Sequence, residues 1–95
     1  DLLLEKAQAT LLAREDARKL FATLSRRESE VIDLLMEGAA NKIIANRLEL
    51  SVRTVELYRS NALTKLRVKS IAEVMALAVL ADIPIAAPAR GEGVD

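Results

Sequence analysis

Apolar residues recur at helical spacing along most of the chain, and the recurrence is interrupted by a few short polar corners. The most informative stretch runs from Asn41 to Lys69. Ile43, Ile44, Ala45 and Leu48 form one apolar stripe there, and Val52, Val55, Ala62, Leu63 and Leu66 form a second over about four turns. Between them, Leu48-Glu49-Leu50-Ser51 leaves room only for a sharp turn. Ser51 stands where an N-cap hydroxyl would accept from an orphan amide of the following helix. The pattern predicts a short helix from Asn41, a tight corner, and a longer helix over Val52–Leu66. That is a helix-turn-helix, whose second helix can lie in the major groove of DNA.

The flanking segments also read as helices. Residues 1–22 lack Gly and Pro and are rich in Leu, Ala, Glu, Lys and Arg, which predicts a helix of about 20 residues. Its stripe shifts from Leu4, Ala7 and Leu11 to Ala17, Leu20 and Phe21, so a clean heptad does not persist, and packing is expected at each end. Ser25 and Glu28 have the spacing of a capping box, Val31 to Met36 supply an apolar side, and Gly38 suits a C-terminal position with positive φ. Ser70 is expected to cap a last helix reaching Ala81, with Glu73 in its first turn. Beyond Asp82 the prolines and glycines predict disorder.

Composition narrows the chemistry. The chain has 95 residues, enough for one domain, and is 52% hydrophobic but only 2% aromatic, so its core must be aliphatic. It contains no Cys and no His, which removes disulfides, zinc fingers, His-based triads and haem ligation, and no cofactor or metal is expected. No apolar run approaches the ~20 residues of a membrane span, so a cytoplasmic location is expected. The start at Asp1 rather than Met is expected of a fragment of a longer protein.

Charge is distributed unevenly. The chain is formally neutral, yet from Asn41 to Ser70 the cations Lys42, Arg47, Arg53, Arg59, Lys65, Arg67 and Lys69 face only Glu49 and Glu56, a local net of +5. A phosphate-binding surface needs cations on one face and not over the whole molecule. The same cations also suit an ordinary solvated helix surface, so charge alone leaves both readings open. Asn41 and Lys42 open a helix whose free amides could meet phosphate, although Asn41 could equally be a simple cap. Helix geometry places Arg53, Glu56, Leu57, Ser60 and Thr64 on one face if Val55, Tyr58, Ala62 and Leu66 face the core.

Leu24-Ser25-Arg26-Arg27-Glu28-Ser29-Glu30-Val31, Gly38, Asn41 to Ala45, Arg53 to Arg59, and Lys65 to Ser70 stand at the mutual spacing of a known pattern. Together they resemble the C-terminal DNA-binding domain of LuxR/FixJ-type response regulators. The resemblance implies an all-α fold: a four-helix domain over 24–81, preceded by a linker helix over 1–23 and followed by a tail over 82–95. It implies base-edge contacts at Glu56, Leu57 and Ser60, with Asn61 nearby, and phosphate contacts at Arg53, Thr54, Arg59, Lys65 and Lys69. Tyr58 stands where relatives commonly have His; its hydroxyl is free for a phosphate, and packing explains it equally well. Ala40 stands where many relatives carry a capping Ser or Thr, and Ile43 where many carry an acid. In similar domains the last helix forms a two-fold contact, and Ala72, Met75, Ala76 and Val79 leave apolar area here for a weak homodimer.

The leading expectation is therefore a sequence-specific reader of inverted-repeat promoter DNA that works as a dimer, with RNA polymerase a possible further partner. The alternative is a protein-interaction module of the same fold that binds RNA polymerase or another regulator. A small enzyme is disfavoured, because without His or Cys it would need carboxylates or Lys in a pocket for which short helices offer little room.

Overall fold

The computed structural model describes residues 1–84. Five α-helices run through these residues, with no strand among them: α1 Leu2–Ala22, α2 Arg26–Met36, α3 Asn41–Leu48, α4 Val52–Leu66 and α5 Ile71–Leu80. The fold is all-α, as expected.

Local chemistry explains where the helices start. The Ser25 amide donates to Glu28 Oε1 at 2.8 Å and the Glu28 amide donates to Ser25 Oγ at 3.2 Å, completing the capping box of α2. Ser51 Oγ accepts from the Thr54 amide and Ser70 Oγ from the Glu73 amide, which caps α4 and α5. Only α3 starts without side-chain help. Its N-cap is Ala40, and Asn41 does not take over: its buried amide oxygen has no hydrogen-bond partner in the protein.

The four helices of the compact unit end in one shared way. Gly38, Glu49, Arg67 and Asp82 all take positive φ. Each donates its amide three residues back, to Leu35, Asn46, Thr64 and Val79 in turn, and the next residue donates five back, to Leu34, Ala45, Leu63 and Ala78. This is the Schellman motif, in which orphan carbonyls are satisfied and the following apolar residue folds onto the helix. Here those residues are Ala39, Leu50, Val68 and Ile83, all packed against the core. The chain therefore does not leave the domain at Asp82 as expected; the motif seats Ile83. The rest of the expected disordered tail, residues 85–95, lies outside the described residues.

A Cβ on Gly38 would meet nothing within 4 Å, so its φ of +96° alone makes glycine useful there. Gly38→Ala should destabilise the fold by about 1 kcal/mol, whereas Glu49→Gly, which relieves an L-residue held left-handed, should stabilise it by a few tenths. Urea unfolding of the two variants beside the parent checks both signs.

The core joins Val31, Ile32, Leu35 and Met36 of α2 to Ile44 and Ala45 of α3, Val55, Ala62 and Leu66 of α4, and Val74 and Ala78 of α5. Burial of these aliphatic faces supplies the main driving force for assembly. α4 packs chiefly on α2 and α3 and so is held with one side against the core. α1 joins at its C-terminal end only, where Ala17 is buried and Leu20 and Phe21 are half-buried, and where Arg18 Nε donates to the Ala81 carbonyl at 2.7 Å. At its other end Leu2, Leu3, Leu4, Leu11 and Leu12 are all exposed, so the expected packing at that end is not made among the described residues of this chain.

Candidate nucleic-acid interface

The two helices of the corner meet as the pattern predicts, with Glu49 turning left-handed between them and Ser51 capping the second. Val55 and Ala62 are fully buried, Leu66 nearly so, and Tyr58 and Leu63 are half-buried. These positions orient the remainder of α4. Arg53, Glu56, Leu57, Ser60, Asn61 and Thr64 are all exposed on the outward side, and Thr54 is half-buried near the helix start. Glu56, Leu57, Ser60 and Asn61 thus form one continuous strip. Leu57, at 57% exposure, is an apolar residue with no place in the core.

Chemically the strip can do what base reading needs. A carboxylate accepts from cytosine N4, an apolar side chain packs on a thymine methyl, a hydroxyl donates or accepts, and an amide suits adenine. Cations border it. Lys42, Arg53 and Lys69 are exposed and Arg59 is half-buried, and among the described residues none of the four is ion-paired. Elsewhere cations are partly spoken for: Arg26 and Arg27 pair with Glu30, and Arg18 lies near Asp82.

Lys65 departs from expectation. Its ammonium donates to Glu28 Oε1 at 2.7 Å, so this exposed lysine already holds a partner within the protein. Glu28 is the one charged residue buried among the described residues. Burial opposes its ionisation, but the Lys65 hydrogen bond, the Ser25 amide, the Lys65 charge and the Ser25 hydroxyl together outweigh burial and hold the carboxyl below its ordinary range. The capping spacing reveals half of this role; the partner 37 residues away leaves no sequence signal. On α2, desolvation and the charges of Glu37 and Glu30 push the Asp33 carboxyl upward.

Two apolar residues also fall outside their predicted stripes. Ile43 is 48% exposed and Val52 40% exposed, and with Lys42, Asn46, Glu49 and Leu50 they line an open concavity of about 530 Å³ beside the corner. On α5, Ala72, Ala76 and Val79 face outward, whereas Met75 is half-buried and packs against the core. The expected two-fold contact therefore has three outward residues of the four. No helix among the described residues is long and apolar enough to cross a membrane.

A four-helix unit whose second and third helices meet at a capped corner, with the third presenting a polar strip bordered by unpaired cations, defines a helix-turn-helix domain of the DNA-binding class. Comparison with known proteins places it further. The profile of the family described as bacterial regulatory proteins, luxR family, matches residues 22–78, and the chain belongs to that family. The transcriptional regulatory protein FixJ of Azorhizobium caulinodans is 46% identical over 71 residues, covering 75% of this chain and 34% of the relative. The oxygen regulatory protein NreC of Staphylococcus epidermidis is 42% identical over 59 residues, covering 62% of this chain and 27% of the relative. Among solved structures, full-length FixJ from B. japonicum superposes with a TM-score of 0.73 at 37% identity, over 80% of this chain and 37% of that one. The response regulator StyR superposes with the same TM-score at 35% identity. The domain is thus of the LuxR/FixJ response-regulator type, and the chain spans only about a third of the length of the FixJ relatives it matches.

Proposed function

We propose that this chain is the sequence-specific DNA-binding output domain of a bacterial two-component transcriptional regulator, acting in the cytoplasm. Residues 24–81 read promoter DNA and residues 1–23 form the linker helix to a further domain. The observation that carries the reading is the outward strip of Glu56, Leu57, Ser60 and Asn61 on α4, together with Lys42, Arg53, Arg59 and Lys69, which are unpaired among the described residues. In it the four strip residues meet base edges, while Asn41, Lys42, Arg53, Thr54, Tyr58, Arg59 and Lys69 hold phosphates. Two copies, joined weakly through Ala72, Ala76 and Val79, read inverted half-sites about one turn, ~34 Å, apart.

The test is selection of bound sequences from a pool of random duplex DNA at two salt concentrations. An enriched inverted repeat, with affinity falling steeply as salt rises, is the expected result. No salt-dependent binding to any duplex would sink the proposal. The second reading, a module that binds RNA polymerase or another regulator, draws on the apolar concavity at Ile43, Leu50 and Val52. It predicts that Ile43→Lys abolishes partner binding and leaves the duplex affinity intact.

A further inference from the structure

Lys65 and Glu28 stand at opposite ends of two packed helices. Glu28 lies in the first turn of α2 and Lys65 in the last turn of α4. Among the described residues, the Lys65–Glu28 bond of 2.7 Å is the only side-chain hydrogen bond that ties α4 to another helix. The same Glu28 oxygen also accepts from the Ser25 amide, so the carboxylate is itself fixed by the capping box. The other ties between α4 and its neighbours are apolar packing, including the half-buried Tyr58 ring, and such packing is non-directional and resists a small roll of the helix only weakly. A roll matters for reading. With side-chain tips ~5 Å from the helix axis, a turn of about 10° displaces them by about 1 Å, enough to spoil the alignment of hydrogen bonds to base edges.

We infer that Glu28 and Lys65 are positioning residues for DNA recognition: the buried carboxylate captures the Lys65 ammonium and locks the roll of α4, and Lys65 is not a phosphate ligand. This rests on the reading of α4 as the recognition helix. Two anchors then define the helix on the core, the Ser51 cap with Val55 at its start and Leu66 with the Lys65–Glu28 bond at its end. The strip from Glu56 to Asn61 lies between them. Both partners are needed, because a neutral acceptor at position 28 holds the ammonium more weakly than a carboxylate does, and an apolar group at position 65 leaves the buried carboxylate without its donor.

The test compares Lys65→Met, Glu28→Gln and Arg53→Ala with the parent chain. Glutamine at position 28 keeps an acceptor for the Ser25 amide. Affinities are measured for the duplex enriched from the random pool and for an unrelated duplex of equal length, over a series of salt concentrations. The temperature is set where circular dichroism shows each variant fully folded. The expected result is that Lys65→Met and Glu28→Gln each weaken binding to the enriched duplex about tenfold, the scale of one well-aligned base contact. Both leave the unrelated duplex and the salt slope unchanged, whereas Arg53→Ala weakens both duplexes and lowers the slope by about one. The double variant Glu28→Gln/Lys65→Met, which strands no charge, folds and shows the same tenfold loss and not its square.

Two outcomes overturn the inference. If Lys65→Met lowers the salt slope by about one and weakens both duplexes alike, Lys65 is a phosphate ligand. If the folded variants bind the enriched duplex as tightly as the parent, the pair serves stability alone. A parent chain that binds no duplex, or binds without preference, overturns the DNA-reading function instead, and this is seen before any variant is compared.

Discussion

Ile44→Ala is expected to destabilise the domain by about 3 kcal/mol, within the range for deleting a buried branched side chain and leaving its cavity. Ile44 is fully buried, and it joins α3 to the α2 and α4 faces of the core. A domain of this size has roughly 5–10 kcal/mol of total stability, so the loss is a large part of it. The corner depends on the same residue, since α3 has only eight residues and no side-chain N-cap to hold it otherwise. The urea midpoint of Ile44→Ala should fall well below that of the parent at unchanged slope. Its neighbour provides the control. Ile43 is 48% exposed, and Ile43→Ala should shift the midpoint hardly at all. Equal effects from the two isoleucines would mean that α3 is rotated from the orientation described.

The second large effect is on binding. Replacing Arg53 and Lys69 together by Ala should weaken every duplex about a hundredfold and reduce the salt slope by about two, because each removes one charge-assisted phosphate contact and the counterion it displaces. Both residues are exposed and, among the described residues, outside any ion pair, so neither has an internal role to lose. The selected sequence should not change. Titrations at several salt concentrations, together with a repeat of the random-pool selection, check both halves. A changed sequence preference would move Arg53 or Lys69 from the phosphate group to the base-reading group.

The FixJ and StyR structures superpose on this chain although they share little more than a third of its residues. In this chain the helix ends are built from contacts between residues three to five positions apart: Ser25 with Glu28, Ser51 with Thr54, Ser70 with Glu73, and the returns at Gly38, Glu49, Arg67 and Asp82. Three of those four left-handed positions hold residues other than glycine, which is why only the return at Gly38 could be read in advance. The seating of Ile83 went unread for the same reason, since Asp82 carries no outward sign of a turn that folds the next residue back.

The sequence by itself determined the helices, the corner between α3 and α4, and the outward strip on α4. Each of these follows from local rules, namely a 3.6-residue period, hydroxyls one residue before a helix, and breaks too short for anything but a turn. Tertiary structure decided what the individual side chains are for. Ile43 and Ile44 are identical and adjacent, and only the packing of α3 on α2 and α4 makes one a core residue and the other part of an open concavity. Met75 was turned inward and Val79 left out by the way α5 closes the core. Lys65 is one of several cations on a basic segment, and its ammonium lies on Glu28 because helix packing brings together two residues 37 positions apart. A long-range pair of this kind leaves no periodic trace, since its spacing is set by the whole path of the chain between its members.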